Sequence, residues 1–263
     1  MSILAHIKGF NGWINLVKNW QDIIKLKLGI LKGDIYLKFR NGLKLRLMNR
    51  GKDSDTVVVR EIYIGGVYSF NNFDKLKEGA VILDIGANVG IYSTFIANKT
   101  KNCKVYSYEA SKENYNYLVG NINRNNFENI KVFNLAVTSK NKGDVKFYIH
   151  EQGSGGCSLF EEAVISKDKN YIKVKQINLK TILKENNLKK VDLLKMDIEG
   201  GEYDAILNTP KETLAKIDKI VMEIHPLKNC SEKELIDYLK DNGFRIWKPE
   251  PNSIYASRKI EGL

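Results

Sequence analysis

The segment Val81-Ile-Leu-Asp-Ile-Gly-Ala-Asn-Val-Gly-Ile-Tyr-Ser-Thr94 constrains the fold of this chain more than any other stretch. Val81 to Ile85 is a short apolar run, of the kind that fills a central parallel strand covered on both faces. A glycine turn from Gly86 to Gly90 follows and leads into a helix. Asp84 interrupts the apolar run towards its carboxyl end, where a buried charge is costly without a partner. In an open parallel sheet, that end faces the ligand crevice. Gly86 and Gly90 accept positive φ and carry no Cβ, so a ligand can approach the backbone. The helix behind them offers unsatisfied N–H groups and the positive end of its dipole.

Two ligand classes use such a turn. A dinucleotide site reads G-x-G-x-x-G, and here Asn88 stands where the middle glycine belongs. An acid just before the first glycine also disfavours a pyrophosphate. It suits a ligand with a cationic amino-acid end, such as S-adenosylmethionine, whose ammonium Asp84 can hold directly or through water. Downstream, Cys103-Lys-Val-Tyr-Ser-Tyr-Glu109 reads as a second strand ending in an acid. Glu109 lies 25 residues beyond Asp84, near the spacing at which a carboxylate accepts hydrogen bonds from both ribose hydroxyls. Ser111 then caps a helix whose apolar side is Tyr115, Leu118, Val119 and Ile122. The candidate cofactor-binding residues are Asp84, Gly86, Ala87, Asn88, Gly90, Glu109, Ser111 and Ala136.

Taken together, Asp84-Ile-Gly-Ala-Asn-Val-Gly90, Tyr108-Glu109, Lys195-Met-Asp-Ile-Glu-Gly-Gly-Glu202 and Met222-Glu-Ile-His225 resemble the FkbM family of S-adenosylmethionine-dependent methyltransferases. Arg60-Glu-Ile-Tyr-Ile-Gly-Gly-Val-Tyr68 and Gly155-Gly-Cys-Ser158 resemble family features less specifically, with Cys157 where serine is expected. The likeness spans roughly residues 55 to 225, in order. It implies a Rossmann-like α/β fold, a mostly parallel central sheet with a reversed last strand, and methyl transfer to an oxygen on a sugar or glycan.

With 263 residues the chain can bury one sizeable core. We expect an N-terminal helix and hairpin extension over 1–78 and a cofactor-binding domain over 79–263. Cys103, Cys157 and Cys230 are scattered, without CxxC or Cys/His spacing, which disfavours disulfides and structural zinc and points to a reducing, cytoplasmic setting. No apolar run is long enough to span a bilayer, and no signal-peptide pattern opens the sequence. The net charge of +11 favours anionic partners, although the lysines are spread rather than blocked.

In the first thirty residues Ile3, Ile7, Phe10, Ile14, Val17, Ile24 and Leu28 follow helical spacing beside Trp13, Trp20 and several lysines. Such a stripe either lies in a membrane interface or packs on the core. Residues 34–47 alternate around Asn41-Gly42, a hairpin signal. Strands are predicted over 130–136, 144–150, 171–179, 193–198 and 220–225, with the polar loop 151–156 between the second and third of these. A capped helix over 231–242 and a closing strand pair over 244–248 and 253–259 complete the pattern.

Asp197, Glu199, Glu202, Glu223 and His225 crowd the ends of two strands that this fold makes neighbours. Attack by a hydroxyl requires loss of its proton, so Asp197, His225 and Glu199 are the candidate catalytic groups. A carboxylate–histidine metal site is conceivable from the residue types, but the spacing does not demand one and no metal is assigned. Competing readings are a nicotinamide-dependent oxidoreductase, disfavoured by Asn88, and a nucleic-acid-binding protein, for which no RRM, KH or helix-turn-helix signature exists. The implied partners are a small-molecule, sugar or lipid-linked glycan acceptor, with peripheral membrane contact through residues 1–30 and no nucleic acid.

Overall fold

The computed structural model describes residues 11–50, 55–149, 157–159, 161 and 170–258. The expectations for residues 1–10, for the loop 151–156, for His150 and for Lys259 lie outside these residues. Near the N-terminus, α1 (residues 11–16) and α2 (Gln21–Lys27) precede a hairpin of β1 (Ile35–Lys38) and β2 (Lys44–Leu47). Its register pairs Leu37 with Leu45, and the Asn41 side chain accepts the Leu43 N–H across the turn. Alternation puts Ile35, Leu37, Leu45 and Leu47 inside. Next, α3 (Asp55–Arg60) widens into a π-helical turn, Glu61–Gly65, which stops at Gly66 in the left-handed region.

The central sheet has seven strands. In chain order they are β3 (Val81–Ile85), β4 (Lys104–Tyr108), β5 (Ile130–Phe133), β9 (Leu193–Met196), β10 (Lys219–Glu223), β11 (Arg245–Trp247) and β12 (Ser253–Ser257). Across the sheet they run β5-β4-β3-β9-β10-β12-β11. The first five are parallel neighbours, and β12 is antiparallel to both β10 and β11. This is the Rossmann-like methyltransferase arrangement, with its last strand reversed. Three short strands, β6 (Ala136–Val137), β7 (Asp144–Tyr148) and β8 (Tyr171–Ile177), make a separate sheet between β5 and β9 in the chain.

The chain leaves β3 towards β4 and β5 on one side and returns to β9 and β10 on the other. The crevice therefore opens at the carboxyl ends of β3 and β9. Helices α4 (Ile91–Lys99), α5 (Lys112–Arg124), α6 (Leu179–Glu185), α7 (Glu202–Leu207), α8 (Lys211–Leu214) and α9 (Glu232–Asp241) complete the order. The α5 and α9 starts are capped by Ser111 and Ser231, each accepting an amide three residues on.

Alternate strand residues feed two cores. Ile82 and Leu193 face one, while Leu83, Ile85, Leu194 and Met196 face the other. The first core also contains Trp13, Val17, Ile23, Phe39, Leu45 and Tyr68, so it crosses the expected boundary at residue 78. Of the expected N-terminal stripe, the described residues divide: Val17 is buried and bridges Phe39, Ile14 and Ile24 are half-buried, and Leu28 is exposed. Trp13 and the neighbouring Ile23 are buried, and Trp20 is half-buried. Among the described residues, no helix is long and apolar enough to cross a membrane.

Candidate active site

At the carboxyl ends of the parallel strands lies a cavity of about 240 Å³. Its walls come from the glycine turn, from Glu109 and Asn114, from Leu135 to Val137, from the ends of β9 and β10, and from Glu61 to Tyr68 of the N-terminal segment. Of the candidate cofactor residues, Gly86, Ala87, Asn88, Glu109 and Ala136 line it.

Glu109 is nearly sealed from solvent, and burial raises its pKa. One oxygen accepts the Asn88 N–H at 2.8 Å, and the other accepts the Ser111 N–H at 2.8 Å and the Asn114 amide at 3.4 Å. A carboxylate has about four acceptor positions, so capacity remains on the cavity side. Ser111 does not line the cavity; it holds Glu109 and caps α5. Asn88 occupies the left-handed region at φ 50°, which asparagine tolerates, and its side-chain oxygen is buried without a hydrogen-bond partner. An orphaned acceptor beside a carboxylate with spare capacity fits a ligand carrying paired hydroxyls, as the ribose of S-adenosylmethionine does.

Gly86 and Gly90 take the expected positive φ, 78° and 88°, and they also sit at close crossings. A Cβ on Gly86 would lie 1.8 Å from the Asp197 carbonyl oxygen, and one on Gly90 would lie 2.6 Å from Leu118 Cδ1. Both are needed so that neighbouring elements can pass, and Gly90 does not line the cavity. The turn amides are also spoken for. Gly86 and Ala87 donate to the Tyr108 carbonyl, Asn88 to Glu109, and Gly90 to the Ala87 carbonyl. A pyrophosphate would find none of these four free.

Asp84 likewise does not line the cavity. It is fully buried, accepts the Ser93 hydroxyl at 2.5 Å, and sits 3.4 Å from the Lys195 ammonium. Asp84, expected to hold a ligand ammonium directly or through water, is here paired internally with Lys195. Lys195 was overlooked in the sequence. Its signal was a charge inside Leu193-Leu-Lys-Met196, the same anomaly that drew attention to Asp84.

The three candidate catalytic groups do converge. His225 Nε2 is 3.3 Å from Glu199, and its Nδ1 is 3.5 Å from Glu202. Glu202 is fully buried and accepts the Ile198 and Gly200 amides at 2.7 and 2.9 Å. Burial alone would lower the His225 pKa, but Glu202 and Glu199 outweigh it and push it up to about 9. Burial raises Glu199 to about 7, with Asp197, Glu202 and Glu223 adding to the rise against His225. Glu199 also holds φ 53°, an unusual value for a side-chain-bearing residue. Asp197 accepts the Tyr68 hydroxyl at 3.0 Å, and Tyr68 itself sits at φ 73°. Tyr68 and Glu61 are not among the candidate site residues; their one signal is the family-like segment Arg60–Tyr68, and no spacing ties Tyr68 to Asp197, 129 residues away. One ligand atom each from Asp197, Glu199 and His225 lies within 4.8 Å of the others, close enough to share a cation.

The sequence matches the methyltransferase FkbM domain over residues 84–246. Among characterised proteins, the AMB antimetabolite synthetase AmbE of Pseudomonas aeruginosa is 25% identical over an alignment of 226 residues, with 72% of this chain covered. The match spans about a tenth of that relative's length, 10%. Among solved structures, methyltransferase FkbM from Methylobacillus flagellatus is 15% identical, with 69% of this chain and 44% of that chain covered at a TM-score of 0.43. A SAM dependent methyltransferase from Aquifex aeolicus is 17% identical, with 71% and 86% covered at a TM-score of 0.38.

Proposed function

The chain belongs to the FkbM methyltransferase family, which uses S-adenosylmethionine, and from that premise we propose that it methylates an oxygen, on a sugar or glycan hydroxyl. The observation that carries this reading is a carboxyl group poised near neutrality, Glu199 at about 7, in the same cavity as Glu109 and the glycine turn. When bound, S-adenosylmethionine supplies an electrophilic methyl group on a sulfonium. The protein must align the acceptor with it and remove one proton. Glu199 would take that proton as the acceptor oxygen bonds to the methyl carbon and the carbon–sulfur bond breaks, its electron pair staying on the sulfur of a neutral thioether. His225 is protonated at neutral pH and flanked by Glu199 and Glu202, so it orients Glu199 instead of acting as the base. Asp197 accepts the Tyr68 hydroxyl and lines the same cavity.

Glu61, Asp197, Glu199 and Glu223 line the cavity on this side. Such a wall accepts hydrogen bonds from a polyhydroxylated group and repels an anionic one. The net charge of +11 acts on the outer surface, where it favours an anionic carrier such as a lipid-linked phosphate. A neutral sugar on a charged carrier satisfies both. The occupied turn amides count against a nicotinamide dinucleotide, and the acidic cavity counts against nucleic acid as the acceptor.

Calorimetric titration with S-adenosylmethionine and NADH tests the cofactor. Supplying the purified protein with methyl-labelled cofactor and fractionated glycans, lipids and nucleic acid tests the acceptor. Label on a sugar oxygen is the expected result. Label confined to nitrogen or to nucleic acid would refute the oxygen and glycan assignments.

A further inference from the structure

Lys195 is only 3% exposed, yet it lies on the cavity wall. Its ammonium donates to the Gly86 carbonyl at 2.9 Å and pairs with Asp84 at 3.4 Å. The nearest Asp197 oxygen is 3.9 Å away, beyond hydrogen-bond reach. Beyond these two partners, the third side of the ammonium faces the Tyr68 ring, 5.5 Å to its centroid, and Asp197, both of which line the cavity. Burial opposes the charge, but Asp84 and Asp197 outweigh it and keep Lys195 protonated.

Among the described residues that line the cavity, only Lys195 and His225 are basic, and both His225 nitrogens already face carboxylates. The turn amides at Gly86, Ala87, Asn88 and Gly90 have internal acceptors. A carboxylate entering this end of the cavity therefore has one cationic donor to meet. The amino-acid end of S-adenosylmethionine brings a carboxylate and an ammonium on the same carbon. Lys195 and Asp197, 3.9 Å apart, present the complementary pair.

We propose that Lys195 anchors the cofactor's carboxylate and Asp197 its ammonium, and that Asp84 acts by holding Lys195 in place. This rests on the S-adenosylmethionine reading above. It assigns ligand contact to a residue pair on β9 and its end, and a supporting role to the acid of the glycine turn.

The test is calorimetry on the full chain with S-adenosylmethionine, S-adenosylhomocysteine and decarboxylated S-adenosylmethionine, which keeps the amine and the sulfonium. The wild type should bind the decarboxylated compound about 10- to 100-fold more weakly than the parent, the range for losing a hydrogen bond to a charged group. Lys195→Met alone would leave Asp84 buried without a countercharge, so the informative variant is Asp84→Asn/Lys195→Met, which removes the pair together. In it the preference should fall towards unity, with S-adenosylhomocysteine weakened alongside the parent compound. Equal wild-type affinity for the two sulfonium compounds would overturn the proposal without any variant. So would an undiminished preference in the double variant. Failure of the wild type to bind either S-adenosylmethionine or S-adenosylhomocysteine would instead remove the cofactor reading and this inference with it.

Discussion

Glu109 shows how a single side chain is set for its task. Three donors from Asn88, Ser111 and Asn114 fix its plane while leaving acceptor capacity towards the cavity. We predict that Glu109→Ala weakens S-adenosylmethionine binding by about 1–3 kcal/mol in calorimetry, the range for losing hydrogen bonds to a charged acceptor. Unchanged affinity would detach Glu109 from the cofactor. His225 gives a prediction with a pH sign. Its folded pKa, about 9, exceeds the ordinary value of 6.5, so the native state binds a proton that the unfolded state releases earlier. Its contribution is fully present below pH 6.5 and is lost as the pH rises through about 9. The stability gap between wild type and His225→Gln, from urea melts, should therefore close over that window. A gap that widens with pH would mean that His225 is buried neutral.

At the scale of elements, the glycine turn is a crossing point. β3 and β9 run side by side, and their exits pass so closely that a single added carbon at Gly86 meets the Asp197 carbonyl. Gly29 provides the control, since it has a positive φ of 69° but nothing within 4 Å of an added Cβ. Gly29→Ala should cost about 1–2 kcal/mol, the left-handed backbone penalty alone. Gly86→Ala adds an overlap with backbone that cannot rotate away, and should cost several kcal/mol, at or beyond the ~4–5 kcal/mol tail of single substitutions. Comparable denaturant midpoints for the two variants would contradict the crossing described here. The α9 start offers a milder check. Ser231→Ala removes the side chain that accepts the Glu234 amide and should cost about 1 kcal/mol.

For the whole molecule, the N-terminal segment is part of the main core and of the cavity wall. Trp13, Val17 and Ile23 share a cluster with Ile82, Val105 and Val221 of the central sheet. Tyr68 from the same region reaches Asp197. A chain lacking residues 1–30 would expose apolar surface now covered, at roughly 25 cal/mol per Å². We predict that it aggregates or melts well below the full chain. Co-sedimentation of the full chain with anionic vesicles tests the remaining exposed residues, Leu28 and Ile30, near Lys25, Lys27 and Lys32. Salt-sensitive binding would give those residues a membrane role despite the buried stripe. Its absence would leave the segment with packing alone.

Residue pattern alone marks the central strands, the glycine turn, the hairpin at Asn41-Gly42 and the capped helix after Ser231. Each is written in neighbouring residues, where periodicity and turn chemistry act over a few positions. It also brought Asp197, Glu199 and His225 to adjacent strand ends, because parallel strands align their carboxyl termini. Which charges face the cavity is set by long-range packing. Asp84 and Lys195 lie 111 residues apart and neutralise each other only because β3 and β9 are neighbours. The same applies to Tyr68 on Asp197 and to the tryptophan stripe. An amphipathic helix carries no record of whether its apolar face meets lipid or protein. That choice depends on the surface opposite it, which the chain supplies from distant segments.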